Sequence, residues 1–313
     1  MNMIVFLIQH TMFFAIPLLI VALGGMFAEK AGIINIALEG KMVLGAFSGV
    51  LTLHLFQDVV SPPWLLIAAL LVAILTGIIV AGFFGLATIK LGSNQVISGV
   101  AINMLAPALA IYLARVVIDT QHITFNNQFR IEHVPVLGDI PILGALFFQN
   151  SYSTTYFGIV ILIISGWTVN KTRFGLHLRA CGENPEAAES AGVKVDKTRF
   201  LAVMVAGVFS SLGGIIFIIP AATSFSGTVS GYGFLALAVL VFGAWKPFNI
   251  LLASLAFGLL SAIAASHTMI DLLPSLPFSA HIYRMMPYLA TLVILIFTSK
   301  KTIAPKALGN HRH

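Results

Sequence analysis

KTRFGLHLRACGENPEAAESAGVKVDKTR, residues Lys171 to Arg199, is the stretch that decides the architecture. It holds six of the chain's 17 Lys+Arg and four of its 11 Asp+Glu, in a chain that is only 9% charged and 58% hydrophobic. Charges at membrane depth are costly, so this window cannot lie in lipid and must join two membrane spans. Its inner part, Glu183 to Ser190, reads as a short helix. Glu183 and Asn184 serve as caps, Pro185 suits the first turn, and Glu186 and Glu189 suit the positive N-terminal end. Gly192 is the stop. Such a helix is either a docking element or a solvated face that happens to be helical.

The 313 residues have a mean hydropathy of +0.99. Soluble proteins carry about 25% charged residues, far more than this chain. Apolar runs of about 20 residues recur, so the expected class is an all-α polytopic membrane protein. The runs are continuous rather than alternating, which excludes a β-barrel. The net charge of +6 reads as topology rather than nucleic-acid binding, because the charges sit at span ends. A lone cysteine, Cys181, leaves no intramolecular disulfide framework and no Cys-rich metal site. The start, MNMIVFLIQH, lacks a basic region, so no cleaved signal peptide is expected.

About nine spans are predicted, near 4–28, 33–56, 64–88, 94–117, 154–170, 200–220, 231–245, 249–266 and 284–299. With Lys171–Arg199 placed inside, fourteen of the 17 Lys+Arg fall inside, Lys41, Lys300, Lys301 and Arg312 among them. Only Arg115, Arg130 and Arg284 remain outside. That asymmetry puts the N-terminus outside and the C-terminus inside. The expected organisation is a single transmembrane domain over 1–313, an inner loop at 171–199 and an outer loop at 118–153. Within the outer loop the apolar PILGALFF, residues 141–148, reads as a short re-entrant or interfacial helix.

Polar residues at membrane depth are the candidate pathway residues. Glu39 lies early in the second span, and Asn35, four residues before it, is expected on the same helical face. Glu39 either meets solute or satisfies a neighbouring helix end. Asn103 is the deepest polar residue of the fourth span, with Gly99 on its face. It either lines a pathway or bonds between helices. The Gly-rich run from Pro220 to Gly233 breaks the helix, and Ser224, Phe225 and Tyr232 within it offer groups to stack on a ring-bearing solute. No GxxxxGK[ST], GxSxG or HExxH motif is present, so neither a nucleotide site nor a hydrolase or zinc-protease site is expected.

Three blocks together carry a family resemblance: Glu29 to Gly40, Thr172 to Val193, and Gly231 to Pro247, supported by Met286–Leu292 and Ala304–Gly309. They resemble the permease subunits of bacterial ABC importers for nucleosides, within the branched-chain amino acid and simple-sugar permease family. The resemblance covers about residues 15–309. It implies a multi-pass protein of the bacterial cell membrane that moves solute by alternating access and is not itself an enzyme. It implies no cofactor on this chain, with ATP held by a partner ABC ATPase. Further implied partners are a second, paralogous permease, an external substrate-binding lipoprotein, a nucleoside substrate and the lipid bilayer, with no nucleic acid. By the resemblance, Gly182, Glu183, Asn184, Pro185, Glu186, Ala187 and Ala188 form the helix that couples to the ATPase. The candidate pathway residues remain Asn35, Glu39, Asn103, Ser224 and Phe225. Other readings are an importer of the same design for a simple sugar or branched-chain amino acid, and an ion-coupled secondary transporter working through Glu39. In the third block the family often has a basic residue after the first glycine, where this chain has Tyr232, so the solute within the class stays open.

Overall fold

The computed structural model describes residues 3–126, 128–135, 138–141, 144–267, 280–298 and 304–309. Of the charges counted above, Lys300, Lys301, Arg312 and the Arg284 side chain lie outside the described residues.

The described chain is built of helices α1 (Met3–Lys30), α2 (Leu38–Phe56), α3 (Pro62–Gly85), α4 (Gln95–Ile118), α5 (Ser153–Lys171), α6 (Arg173–Glu183), α7 (Pro185–Ser190), α8 (Val195–Ala221), α9 (Tyr232–Phe242), α10 (Pro247–Ala265) and α11 (Ala280–Thr298). Local chemistry sets several of their starts. Asn94 accepts from the Val96 and Ile97 amides to cap α4, and Thr172 accepts from Gly175 to cap α6. Proline opens α3, α7 and α10. Two short antiparallel ladders pair β1 (Ile123–Thr124) with β4 (Ser224–Phe225), and β2 (Arg130–His133) with β3 (Gln149–Tyr152).

Among the described residues, six helical segments are long and apolar enough to cross a membrane: α1, α3 with the π turn that extends it to Lys90, α4, α5, α8 and α10. The chain is a multi-pass membrane protein. The predicted spans coincide with described helices, six of them long and apolar enough to cross, and two of the predicted spans depart from expectation. The second is helical only from Leu38, because residues 31–37 leave the helix. The seventh is an eleven-residue helix, about 16 Å long and half of a bilayer core. At 141–148 there is a single π turn, Gly144–Phe148, in place of the expected helix, and residues 142 and 143 lie outside the described residues. The sequence also missed α6, whose charged residues hid its helical pattern.

Helix α8 is the centre of the bundle and packs against α1, α2 and α3. Bilayers offer no hydrophobic force between helices, so close approach of small residues must supply the packing. On α8, Ser211 fills the space where Gly45 of α2 lacks a side chain. Gly207 of α8 lies against Gly77 and Ala81 of α3 in the same way. The two ends of the bundle are distinct. Near the start of α1, Gln9 donates to the Gln149 carbonyl of β3 at 3.1 Å. At its end, the Lys30 carbonyl lies against Gly182 of α6. The strand ladders and the α6–α7 pair are therefore about 30 Å apart along α1.

Gly207→Ala is expected to push α3 from α8 and to cost about 1–3 kcal/mol, because its methyl would overlap Ala81 and the Gly77 backbone. Gly82→Ala on the same α3 meets open space and should be neutral or slightly stabilising. Thermal unfolding in detergent compares the two; equal melting temperatures would refute the close crossing.

Candidate functional site

Two interruptions of regular helix come together inside the bundle. The first is the connector at residues 31–37, between α1 and α2. Its backbone polar groups need partners, and α4 supplies them along one face. Gln95 Oε1 accepts from the Ile34 amide at 2.7 Å. Two turns on, Asn103 Nδ2 donates to the Ile36 carbonyl at 2.9 Å, and its Oδ1 accepts from the Gly40 amide at 2.7 Å. Gly99, midway between, lets the connector approach, since a Cβ there would sit 3.2 Å from the Ala37 nitrogen. Asn103 thus bonds between elements, and the room beside Gly99 is taken by Ile36 and Ala37.

The second interruption follows α8. From β4 the chain descends through residues 226–231 and resumes as α9. Gly227, at φ +77°, packs against Pro107 and Ile111 of α4. The N-terminus of α9 then meets Glu39. Its Oε1 accepts from the Gly231 amide at 3.0 Å and its Oε2 from the Gly233 amide at 2.6 Å. A carboxylate across two amides at a helix N-terminus satisfies groups left open by the helix and opposes the end's positive partial charge. Both oxygens are in use, and Glu39 is 7% exposed. Tyr288 of α11 adds a bond to the Ser230 carbonyl.

Asn35 departs from expectation. It lies in the connector rather than on α2, and its Oδ1 accepts from Lys41 Nζ at 2.7 Å instead of facing Glu39. Lys41 is fully buried, with its ammonium 4.4 Å from the Phe84 ring centroid. Ser224 and Phe225 belong to β4, and Phe225 is buried where it pairs with Ile123. Tyr232 is buried too, its ring 4.0 Å from that of Phe217. Of the five candidates, then, Asn35, Glu39 and Asn103 gather around the α2 N-terminus, while Ser224 and Phe225 sit in the strand ladder.

At the other end, α7 is the helix expected from Glu183 to Ser190. Asn184 caps it by accepting from Ala187 at 3.0 Å, and Gly192 ends it at φ +84°. Glu183, Asn184, Glu186 and Ala187 are exposed; Ala188 alone of this helix is buried, against Cys181 and Val195. Sequence reasoning missed two ties here. Trp245 Nε1 donates to Glu29 Oε2 at 2.7 Å, holding the α9–α10 turn to the end of α1. Arg199, read as a loop charge, is 3% exposed and donates through Nε to the Ala31 carbonyl at 3.0 Å. The only sequence signal for either was a charge at the edge of an apolar run.

Beside the strand ladders lies a cavity of about 330 Å³. Its walls include Phe6, His10, Phe13, Phe14, Arg130 and Tyr152. His10 packs on Phe6 at 3.9 Å between centroids, and Phe13 meets Tyr152 edge-on at 5.1 Å. Rings and one guanidinium suit a heteroaromatic solute. Among the described residues no group of three or more His, Cys, Asp or Glu is arranged to hold a metal ion.

A bundle of apolar helices with two internally braced breaks is that of a multi-pass membrane protein, and sequence comparison gives its family. The profile of the family described as branched-chain amino acid transport system / permease component matches residues 7–296, and the chain belongs to that family. It is 35% identical to the nucleoside ABC transporter permease protein NupC of Lactococcus lactis subsp. cremoris, over 98% of this chain and 96% of that protein. It is 38% identical to the guanosine ABC transporter permease protein NupQ of Bacillus subtilis, over 97% of this chain and 95% of that protein. It is 28% identical to a second Lactococcus permease, the nucleoside ABC transporter permease protein NupB, over 80% of this chain and 70% of that protein. No solved structure matches the chain.

Replacing Glu39 by alanine removes the acceptor for two buried amides and is expected to cost about 1–3 kcal/mol and most transport. Glu39→Gln keeps one acceptor oxygen and should lose less of both. Detergent melting with uptake assays tests the order; an alanine variant as stable as wild type would show that the carboxylate does not brace α9.

Proposed function

We propose that this chain is the membrane-spanning permease subunit of an ATP-driven nucleoside importer. The observation that carries the reading is near full-length similarity to two nucleoside permeases, at 35% and 38% identity. On this reading the whole of 1–313 is one transmembrane domain with nine crossings in the bacterial cell membrane. Helix α9 and the irregular residues 226–231 together complete one crossing. The N-terminus and the 118–153 segment face outward, and residues 171–199 and the C-terminus face inward, as the Lys and Arg distribution requires. The chain binds no cofactor; ATP is hydrolysed on a partner ATPase.

Gly182 to Ala188 dock in that ATPase. Support comes from the exposure of Glu183, Asn184, Glu186 and Ala187 on a capped helix whose buried residue is Ala188. The pairing of NupB and NupC in one organism supports a second, paralogous permease as the other half of the pore. A substrate-binding lipoprotein delivers solute from outside. ATP binding moves the docked helix, and the membrane helices alternate which side is open. The occupied α9 N-terminus offers no positive end to an anion, which favours a neutral nucleoside over a nucleotide. Both Glu39 oxygens are bonded to backbone amides, which gives the carboxylate a bracing role and so favours the importer over an ion-coupled transporter. The ring-lined cavity is the first place such a solute would meet this chain.

The test is uptake of labelled guanosine into vesicles holding this chain with its partner permease, ATPase and binding lipoprotein. Uptake should require ATP, be blocked by unlabelled nucleosides and not by sugars or branched-chain amino acids, and be abolished by Glu186→Arg while the chain still folds. Block by a sugar instead would discard the nucleoside reading. In the same vesicles, His10→Ala with Phe13→Ala should raise the KM for guanosine by about tenfold at unchanged ATP hydrolysis. An unchanged KM would remove the cavity from the solute's path.

A further inference from the structure

Residues 304–309 make a contact that neither the charge pattern nor the docking helix explains. This short turn lies between α6 and the α1–α2 connector and bonds to both. The Ala307 amide donates to the Gly182 carbonyl at 2.8 Å, and the Gly309 amide donates to the Gly32 carbonyl at 3.0 Å. A third bond, from the Leu308 amide to the Pro305 carbonyl at 3.0 Å, closes the turn. Ala307 is 3% exposed, so the turn is inserted rather than draped.

The residues it meets are shaped for it. Gly182 has no room for a side chain, because a Cβ there would overlap the Lys30 carbonyl and stand 3.4 Å from Pro305. Gly32 holds φ +89°, and a Cβ on it would stand 2.9 Å from the Arg199 guanidinium and 3.2 Å from the Ala307 carbonyl. Gly309 holds φ +79°, with a Cβ position 2.7 Å from Ile34. Glycine is the residue that takes such angles without strain. Arg199 closes the far side through its bond to Ala31. Four stretches distant in sequence therefore meet at one point.

The position matters because of what lies on each side. Gly182 and Glu183 close α6, one residue before the Asn184 cap of α7. Ile34, under Gly309, is bound to Gln95, and the same connector leads within five residues to Glu39 and the start of α9. No other described backbone hydrogen bond outside the helices joins the α6–α7 pair to the connector. We propose that Ala304–Gly309 is a strut that transmits movement of the α6–α7 pair to the 31–40 connector, and through it to α4 and α9. Ala307 and Gly309 are its positioning residues. The strut rests on the importer reading, since it needs an ATPase to move α7.

The test uses the full complex reconstituted in vesicles. Three versions of this chain are compared with wild type: one ended before Ala304, Ala307→Pro, which removes the amide donor to Gly182, and Lys306→Ala, which alters an exposed residue of the same turn. Co-purification reports assembly. ATP hydrolysis and guanosine uptake together report solute moved per ATP. Hydrogen–deuterium exchange at residues 31–40 and 173–190, with and without ATP, reports the mechanical link whatever the solute.

With the strut, the shortened chain and Ala307→Pro still assemble and hydrolyse ATP, but solute moved per ATP falls by about tenfold. ATP then alters exchange at 173–190 and no longer at 31–40, while Lys306→Ala behaves as wild type. Three results overturn the proposal: unchanged uptake per ATP, an ATP response at 31–40 that survives loss of the turn, or failure of both strut variants to assemble, which would make the turn a folding element only. Failure of the importer reading shows itself separately, as a wild-type complex that hydrolyses ATP, shows the exchange response and takes up no guanosine.

Discussion

Inside a bilayer every backbone amide and carbonyl has to find its partner within the protein. That constraint governs this fold, because the chain leaves the helix twice where its neighbours do not. The connector 31–37 and the run 226–231 would each leave backbone polar groups without helical partners inside the bundle. Their resolution is shared. Gln95 and Asn103 serve the first, Tyr288 serves the second, and Glu39 joins the two by standing at the start of α2 with its carboxylate on the start of α9. Removing any one of these leaves an amide or carbonyl unmatched in a medium where that is most costly. The small-residue crossings of α8 with α2 and α3 follow, since they seat α2 deeply enough for Glu39 to reach.

Much of this was legible in the sequence. The apolar runs located the six long apolar helices to within a few residues, since a length of about 20 is fixed by lipid thickness rather than by tertiary detail. The short helix at 185–190 was legible for the opposite reason: Asn184, Pro185 and Gly192 act locally, and no distant contact overrides them. Glu39 was correctly singled out as an unusual residue, with both of its readings open. Its partners on α9 lie about 190 positions away, and no local pattern carries that information.

The errors have the same origin. Asn35 was put on a helical face because a period of four is the default when a run is apolar, but the connector's backbone is held off the helix by α4. Phe225 was read as a stacking platform from its Gly-rich neighbourhood, yet a two-residue ladder with Ile123 buries it. Arg199 was counted as a loop charge, although its guanidinium folds back onto the Ala31 carbonyl. The Lys–Arg asymmetry survives this last error, because the direction of bias depends on which end of the span a charge occupies and not on its exposure.

The polar groups are unequally distributed along the molecule's length, and this bears on which parts can move. Around Glu39 the bonds are made by side chains to backbone amides, so displacement there breaks several at once. At the α6–α7 end the turn 304–309 bonds backbone to backbone beside the side-chain ties of Arg199 and Trp245, and α7 buries Ala188 while most of its residues are exposed. Elements with few buried apolar contacts are the ones that open at low cost. A machine worked from outside the membrane requires this gradient: a loosely held handle, and a braced middle whose two breaks are locked to each other. The shared carboxylate means that α2 and α9 cannot shift separately without exposing the Gly231 and Gly233 amides. Any change of access at this level therefore involves the two half-buried helix ends as one body.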